Sequence, residues 1–491
     1  MEYHKIRLIK NKVEEQIQVE EQIRQLGTFF TLITMGGLSM ALFGTNGVRG
    51  IANEYITPEL SVNLARSLGT YMSSKGTVAI GCDTRISGQM LKSAAIAGAL
   101  STGLNVIDVG SAPTPSIQYY VRDHADAGIV ITASHNPRQY NGIKFIAGDG
   151  TEFPRDGEKD IEKIYYSGKY SIVSWEKTGS FRTDPDVNAY YIRNIINSVN
   201  AETIRGHSFK VVIDTGCGAG SLTLPFLLRA LGCQVLTLEA QPDGTFPWRN
   251  PEPLPEALTE LTNLVKMTGA DLGAAHDGDA DRIVFVDENG QFINDDVLLA
   301  MVAKYMLEHE KGPVVTPVSS SQRIADVAKD AGVELYWTAV GSINVARKMM
   351  EVNAVFGGEG NGGLIFPKHQ YCRDGAMGCA KVLEILAGGK KLSELAKSVP
   401  HYFNEKTKTP SKNKQVTMEI VKKEASELGH KLDTTDGVKI WYEDGWVLIR
   451  PSGTEPIFRI YAEAKKQDRA KELMQEGLNM VLKAEKSSTL K

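Results

Sequence analysis

The sequence predicts an α/β protein built from three related mixed-sheet α/β domains, followed by a smaller C-terminal α+β domain. Three observations point there. A length of 491 residues accommodates three or four domains at ~150 residues each. From Phe43 onward, short apolar runs without polar alternation are separated by segments of helical periodicity, the pattern of buried sheets covered by helices. After residue 414 the order changes to helix, strand, tight turn, strand, loop, strand and long helix, an antiparallel α+β arrangement.

Residues 1–39 stand apart from the rest. Positions 2–26 are rich in Glu, Gln, Lys and Arg, whereas Thr28–Phe43 is mostly apolar. That run falls short of the ~20 residues a membrane span needs, and Thr28, Thr31, Thr34, Gly36, Gly37 and Ser39 dilute it. A signal peptide would set its basic region directly against the apolar run, and here a glutamate-rich segment intervenes. The expectation is a disordered or weakly helical extension, with Met40 opening the first folded domain. Domain 40–185 carries strand candidates at 78–81 (VAIG), 105–110 (NVIDVG) and 127–132 (AGIVIT), with helices at 59–72 and 89–102. Domain 186–296 has strands at 210–214 (KVVID) and 283–286 (IVFV) and a helix at 221–231. Domain 297–405 has a strand at 313–318 (PVVTPV), with helices at 296–309 and 321–331. Domain 406–491 contains the strand candidates VKIWY, WVLIR and FRIYAEA. Polar or proline-rich joins near 179–188, 293–296 and 404–413 set the boundaries, and the last is expected to be a flexible joint.

Composition excludes several function classes. A net charge of -4 with 42% hydrophobic and 23% charged residues gives no basic surface for nucleic acid and no polybasic stretch for anionic lipid. The expected partners are therefore small molecules, with no nucleic acid and no membrane. The cysteines, Cys82, Cys217, Cys233, Cys372 and Cys379, are odd in number and show no CxxC pair, which fits a reducing cytoplasm.

Four loops carry chemistry. TASHNP at 132–137 follows the apolar run AGIVI, so Ser134 sits in a tight loop at a strand end, where side chains and amides face ligands. Ser, Asn and Pro also form ordinary turns, so this loop alone leaves both readings open. It lacks the GxSxG elbow of an esterase. DGDAD at 277–281, followed by Arg282 and IVFV, brings Asp277, Asp279 and Asp281 together as hard oxygen ligands for a divalent cation such as magnesium. A calcium loop would need glycine where Arg282 stands, and a helix where IVFV follows. GGEGNGG at 357–363 matches GxGxxG, but LIF follows where a dinucleotide site would begin a helix. Glu359 and Asn361 in that loop instead offer an acceptor and an amide to vicinal sugar hydroxyls. The cluster GCGAG at 216–220 reads as a βα turn. RPSGTEP at 450–456, with Arg459 beyond it, supplies arginine forks, the hydroxyls of Ser452 and Thr454 and the amides around Gly453, which suit a phosphate dianion. A hairpin loop with a charged rim is the plainer reading.

In this order, one per domain, the four loops resemble the α-D-phosphohexomutase family over residues 41–480. The resemblance implies four domains around a central cleft and a phosphoserine at Ser134. It implies magnesium held by Asp277, Asp279, Asp281 and the oxygens carried on Ser134. Sugar contacts would come from Glu359 and Asn361, and phosphate contacts from Arg450, Ser452, Gly453, Thr454 and Arg459. It places Arg49, Arg282 and Lys144 near the transferring phosphoryl group, with Lys144 or His135 as general acid or base. Within the family, FGTNGVRG at 43–50 and the following IANEYITPEL look most like the phosphoglucosamine mutases, and GEGNGG looks like their archaeal members. Many phosphomannomutases and phosphoglucomutases end the sugar loop in His where this chain has Gly363. The role of that imidazole is absent here or falls to His369 or His135.

The activity so implied is that of an isomerase, an intramolecular phosphotransferase of the cytoplasm. It would interconvert glucosamine 6-phosphate and glucosamine 1-phosphate through a phosphoserine enzyme and a sugar bisphosphate, which also serves as activator. A homodimer is one assembly the resemblance allows. Alternatives are a phosphomannomutase or phosphoglucomutase, a metal-dependent sugar phosphatase, and a non-catalytic regulator that binds sugar phosphates.

Overall fold

Four sheets follow one another along the chain in the computed structural model, which describes residues 42–44, 46–453 and 455–488. The expected N-terminal extension, Met40 and Thr454 lie outside the described residues. The first sheet comprises β1 (Val48–Ile51), β2 (Thr77–Cys82), β3 (Asn105–Ser111), β4 (Ala127–Ile131), β5 (Tyr140–Ala147) and β6 (Phe181–Thr183), in the order β1-β5-β4-β2-β3-β6. β2 runs parallel to β3 and β4, whereas β5 is antiparallel to β4 and β1. The helix expected at 59–72 is Pro58–Tyr71, with Pro58 in its first turn and the Thr57 side chain accepting from Leu60 N. Helix Thr114–His124 covers one face of the sheet, packing Ile117, Tyr120 and Val121 on Ala79, Ile107 and Val130. Burying each such aliphatic side chain contributes roughly 1.5–3 kcal/mol.

The second sheet comprises β7 (Lys210–Asp214), β8 (Gln234–Leu238), β9 (Leu272–His276) and β10 (Ile283–Asp287), in the order β10-β9-β7-β8. β7 is parallel to β8 and β9, and β10 is antiparallel to β9. The helix expected at 221–231 is shorter. A 3-10 turn occupies Ala219–Leu222 and the α-helix runs Leu224–Ala230, because Pro225 has no N–H to continue an earlier turn. The third sheet comprises β11 (Val314–Pro317), β12 (Leu335–Thr338), β13 (Phe356–Glu359), β14 (Gly363–Phe366) and β15 (Gln370–Arg373), in the order β12-β11-β13-β14-β15. Helix Gly375–Leu386 is apolar apart from the ion pair Lys381–Glu384 on its partly exposed side, and its Ala376, Met377, Cys379, Val382 and Leu383 share one buried core with Leu227, Leu228 and Phe285 of the second block.

The fourth sheet is wholly antiparallel: β16 (Phe403–Pro410), β17 (Lys431–Asp433), β18 (Val438–Trp441), β19 (Gly445–Pro451) and β20 (Ile457–Ala464), in the order β16-β20-β19-β18-β17. Helices Lys414–Glu427 and Gln467–Ser488 cover one face, through Val421, Ala425, Leu473 and Val481 against Val447, Ile449 and Ile460. The other face sets Trp446 and Leu448 on Val318 of the third block. The join expected at 404–413 is largely β16, paired along its length with β20. It reads as a linker in sequence because an edge strand with polar, partly exposed side chains carries no apolar alternation. Glu463, fully buried, fastens this block to the third by accepting from Ser321 Oγ, from Gln322 N (2.7 Å), from Asn404 Nδ2 (2.9 Å) and from Trp446 Nε1 (3.0 Å). Among the described residues, no helix is long and apolar enough to cross a membrane.

Candidate active site

Three of the four chemical loops leave the carboxyl ends of parallel strands, the Ser loop from β4, the aspartate loop from β9 and the glycine-rich loop from β13. Open α/β sheets place ligands there. Strand β4, AGIVI, is buried throughout, and the chain turns immediately beyond it. Ser134 adopts φ +51°, a left-handed conformation that costs a serine roughly 1–3 kcal/mol. Local bonds hold it there. Ser134 N donates to Thr132 Oγ1 (2.9 Å), and Arg49 Nη1 donates to Ala133 O (3.2 Å) and Asn136 Oδ1 (3.0 Å). Arg85, 2% exposed, does most. Its guanidinium donates to the carbonyls of Ser134 (2.7 Å), Asn136 (2.7 Å), Pro137 (2.8 Å) and Tyr140 (2.9 Å), with Asp83 at 3.1 Å as its counter-ion.

The aspartate loop joins antiparallel β9 and β10 and lies directly on the Ser loop. A side chain at Gly278 would collide with the Ser134 carbonyl, so the glycine permits the approach. Ser134 Oγ donates to Asp277 Oδ2 (2.8 Å) and lies 3.3 Å from His135 Nδ1. Oxygens of Asp277, Asp279 and Asp281 lie within 4.8 Å of one another, and all three residues are buried. Asp279 Oδ2 accepts from Thr114 Oγ1 (2.7 Å) and Lys144 Nζ (2.9 Å), and Lys144 Nζ is 4.0 Å from Asp281 Oδ2. Burial and the neighbouring Asp279 and Asp281 push the Asp277 carboxyl well above the usual range. Burial would raise Asp279 too, but Lys144, the Thr114 hydroxyl and Arg49 outweigh it and hold that carboxyl below the usual range. The residues fit a divalent cation: Asp279 Oδ1 and Asp281 Oδ1 are buried acceptors without a hydrogen-bond partner among the described residues, beside a carboxyl that needs added positive charge to ionise. Arg282 closes the loop, its N donating to Asp277 Oδ1 (3.2 Å) and its Nε 3.9 Å from Asp281 Oδ1. Arg282, then burial, then Arg49 and Arg373 push the His135 imidazole down to about 2, so it is neutral at pH 7.

Glu359 ends β13 and is 4% exposed, with Oε1 accepting from Gly341 N (3.2 Å) and Oε2 from Arg373 Nη1 (2.9 Å). Asn361 Oδ1 accepts from Gly363 N (3.2 Å). At the β19–β20 hairpin, Arg450 of β19 pairs through Nη2 with Asp436 Oδ2 (3.1 Å) and Arg459 of β20 through Nη2 with Glu455 Oε2 (2.6 Å), while in the loop Ser452 Oγ accepts from Glu455 N (3.2 Å). Gly453 is exposed at the tip of this loop. Asp436 also accepts from Val340 N (3.0 Å), so adjacent amides, Val340 and Gly341, tie the arginine loop and Glu359 to one turn. The structure thus brings Ser134, His135, Arg49, Lys144, the three aspartates, Arg282 and Glu359 into one polar cluster. Arg450, Ser452, Gly453 and Arg459 form a second cluster, on the last block.

Residues 40–171, 189–290, 294–403 and 405–479 match, in turn, the phosphoglucomutase/phosphomannomutase alpha/beta/alpha domains I, II and III and the C-terminal domain. The chain belongs to the phosphoglucomutase/phosphomannomutase family. Phosphohexomutases of this family are isomerases that transfer a phosphoryl group within a sugar phosphate, and the chain is an enzyme of that class. It is 48% identical over 451 residues to a phosphoglucomutase/phosphomannomutase of Thermococcus kodakarensis, covering 90% of this chain and 99% of that one. It is 42% identical over 445 residues to a probable phosphoglucosamine mutase of Methanopyrus kandleri, covering 89% and 97%. A crystal structure of a family protein from Burkholderia thailandensis superposes with a TM-score of 0.81 at 27% identity, covering 91% of this chain and 98% of that one.

Within the mutase fold, several residues that sequence reasoning passed over hold the site together. Arg85 braces the Ser loop, Thr114 bonds Asp279 across the boundary between the first two blocks, and Arg373 spans Asp281 and Glu359. The signal for Arg85 was the run CDTR after β2, where an arginine two residues beyond a buried aspartate folds back on it. His369, one candidate for the missing imidazole, lies elsewhere. It is 2% exposed, stacked on Tyr119 (4.6 Å) and 3.4 Å from Asp374 Oδ2.

Proposed function

We propose that this mutase interconverts glucosamine 6-phosphate and glucosamine 1-phosphate, with Ser134 as the phosphoryl relay and magnesium as its cation. The observation that carries the reading is the Ser134 hydroxyl at hydrogen-bond distance from the aspartate cluster, on a loop braced in a strained conformation. Charge balance supports it. Lys144, Arg49, Arg282 and Arg373 equal in number the acids Asp277, Asp279, Asp281 and Glu359, of which Asp277 ionises only when positive charge is added. A divalent cation would leave this buried cluster two charges in excess, which a phosphate dianion on Ser134 cancels. Asp277, Asp279 and Asp281 would hold the cation, which when bound neutralises the phosphoryl oxygens and polarises the phosphorus.

Ser134 then gives its phosphoryl group to the free hydroxyl of a hexose monophosphate, and the resulting bisphosphate, turned end for end, returns its other phosphoryl group to Ser134. Arg49 and Arg282 stabilise the moving group, since phosphoryl transfer depends on positioning and charge neutralisation more than on nucleophile strength. Lys144 or His135 carries the hydroxyl proton; Arg282 and Arg49 keep the His135 imidazole a weak base, so it can take that role only when the phosphate dianion on Ser134 offsets them. Glu359 and Asn361 grip the sugar hydroxyls, and Arg450, Ser452, Gly453, Thr454 and Arg459 take the phosphate that is not being transferred.

The name of the Methanopyrus relative supports glucosamine phosphate, while that of the Thermococcus relative favours mannose or glucose phosphates. Turnover of glucosamine, mannose and glucose 6-phosphates, each with its bisphosphate present, decides between them. The expected order places glucosamine phosphate first by kcat/KM. Ser134→Ala is expected to lose activity by at least about 1,000-fold with its fold intact, as a relay that forms a covalent intermediate requires. A variant turning over at the parent rate would show that Ser134 is not the relay.

A further inference from the structure

The glycine-rich loop ends at Gly363, and the structure shows what occupies the space a side chain there would fill. Arg373, at the end of β15, passes directly over the Gly363 α-carbon, and a β-carbon on residue 363 would run into Arg373 Cδ. The β14–β15 pairing shifts register between Ile365 and Phe366, an irregularity that re-aims the strand end beside the site. The guanidinium is buried, with residue exposure of 6%. Nη1 lies 2.9 Å from Glu359 Oε2, Nη2 pairs with Asp281 Oδ2, and Nε–H has no hydrogen-bond partner among the described residues. One rigid planar group thus joins a carboxylate of the cation loop to the carboxylate that ends β13.

We propose that Arg373 is a positioning residue that couples cation binding to sugar binding, with Gly363 as the residue that makes room for it. The inference rests on the mutase reading for the identity of the sugar phosphate, but the coupling follows from Asp281 and Glu359 themselves. Asp281 has one oxygen on Arg373 and the other, 3.9 Å from Arg282 Nε, without a hydrogen bond and open to a cation; Glu359 has one oxygen on Arg373 and one on the Gly341 amide. A cation that fixes Asp281 fixes the fork, and the fork fixes the acceptor directions of Glu359. The reverse holds equally, because coupling between two sites is reciprocal. A guanidinium keeps its proton at neutral pH, so this group cannot take over the acid–base role of a histidine at position 363. Proton transfer is left to Lys144 or His135.

The test is a binding cycle on the full chain. Mn2+ affinity is measured by titration with and without saturating glucosamine 6-phosphate, and sugar phosphate affinity with and without Mn2+. Mannose and glucose 6-phosphates are run as parallel probes. In the parent each ligand is expected to tighten the other by about tenfold. In Arg373→Ala the factor falls toward one while both ligands still bind singly, and KM rises more than kcat falls. Arg373→Lys, whose single nitrogen does not span Asp281 and Glu359 as the two ends of the planar fork do, recovers little of the coupling. Gly363→Ala displaces the guanidinium and reproduces the loss, and Gly363→Ala/Arg373→Ala is no worse than either single change. Parent-like coupling in Arg373→Ala or in Gly363→Ala overturns the proposal, as does absence of coupling in the parent with every probe. A parent that couples Mn2+ only to mannose or glucose phosphate upholds the coupling and refutes the glucosamine reading alone.

Discussion

Arg85→Lys tests whether the Ser loop is held in a strained form by its arginine brace. Arg85 makes four hydrogen bonds to carbonyls of residues 134–140 and one ion pair with Asp83, at distances of 2.7–3.1 Å. A lysine keeps the charge and can reach Asp83, but its three donors on one nitrogen cannot serve carbonyls fanned out along the turn. Each lost bond from a charged donor is worth ~1.5–3 kcal/mol, so losing two removes at least ~3 kcal/mol of restraint. The strain opposing that restraint at Ser134, φ +51°, is ~1–3 kcal/mol. Release of that strain by a relaxed loop lowers the competent population roughly 5- to 150-fold, and kcat/KM falls by the same factor. The assay is hexose phosphate turnover with a bisphosphate activator, alongside intact-mass measurement of phosphate on Ser134. Parent-level kcat/KM in Arg85→Lys would refute the claim that the brace sets the loop.

Three further outcomes follow from the geometry. Stripping divalent cations is expected to lower activity by at least about 100-fold, and magnesium to restore it; full activity in protein shown by elemental analysis to be metal-free would contradict the role given to Asp277, Asp279 and Asp281. Glu463→Ala leaves Gln322 N, Trp446 Nε1 and Arg323 short of their buried acceptor, at a cost of about 3–5 kcal/mol, and should open the last block to limited proteolysis well before the rest unfolds. Lys439 is fully buried, its Nζ donating to Val318 O (2.8 Å) and lying 3.8 Å from the Trp446 ring centroid. Burial lowers its ammonium to about 7, whereas an unfolded lysine holds its proton to about 10.4. Between these values the unfolded chain binds the extra proton, so the lysine's destabilising effect, full below about pH 7, is relieved as pH rises. Denaturant midpoints should increase from about pH 7 to about pH 9 in the parent, and Lys439→Met should flatten that rise; an unchanged slope would exclude Lys439 as its source.

The residues proposed to act on a ligand could be named without a structure, because their chemistry is local. Three carboxylates on alternate positions between apolar runs signal a cation loop whatever the rest of the chain does, and a serine just past a buried strand lies at a sheet's ligand-facing edge. Strands rich in Val and Ile, such as KVVID and IVFV, were legible for the same reason. Strand β9, LGAAH, was not, since Gly and Ala carry little β preference and only pairing with β7 and β10 makes it a strand. Polar β16 was likewise hidden as a linker until β20 paired with it.

Several of the groups that hold the site in shape escaped sequence reasoning. Arg85 reaches Ser134 across 49 residues, Arg373 reaches Asp281 across 92, and Thr114 reaches Asp279 across 165. By itself, then, the sequence determined which side chains could hold a cation, a sugar and a phosphate, and on which kind of fold. Only the tertiary structure decided how they are oriented and which charges balance. Orientation depends on contacts between strands far apart in the chain, and such contacts leave no spacing rule in any one segment.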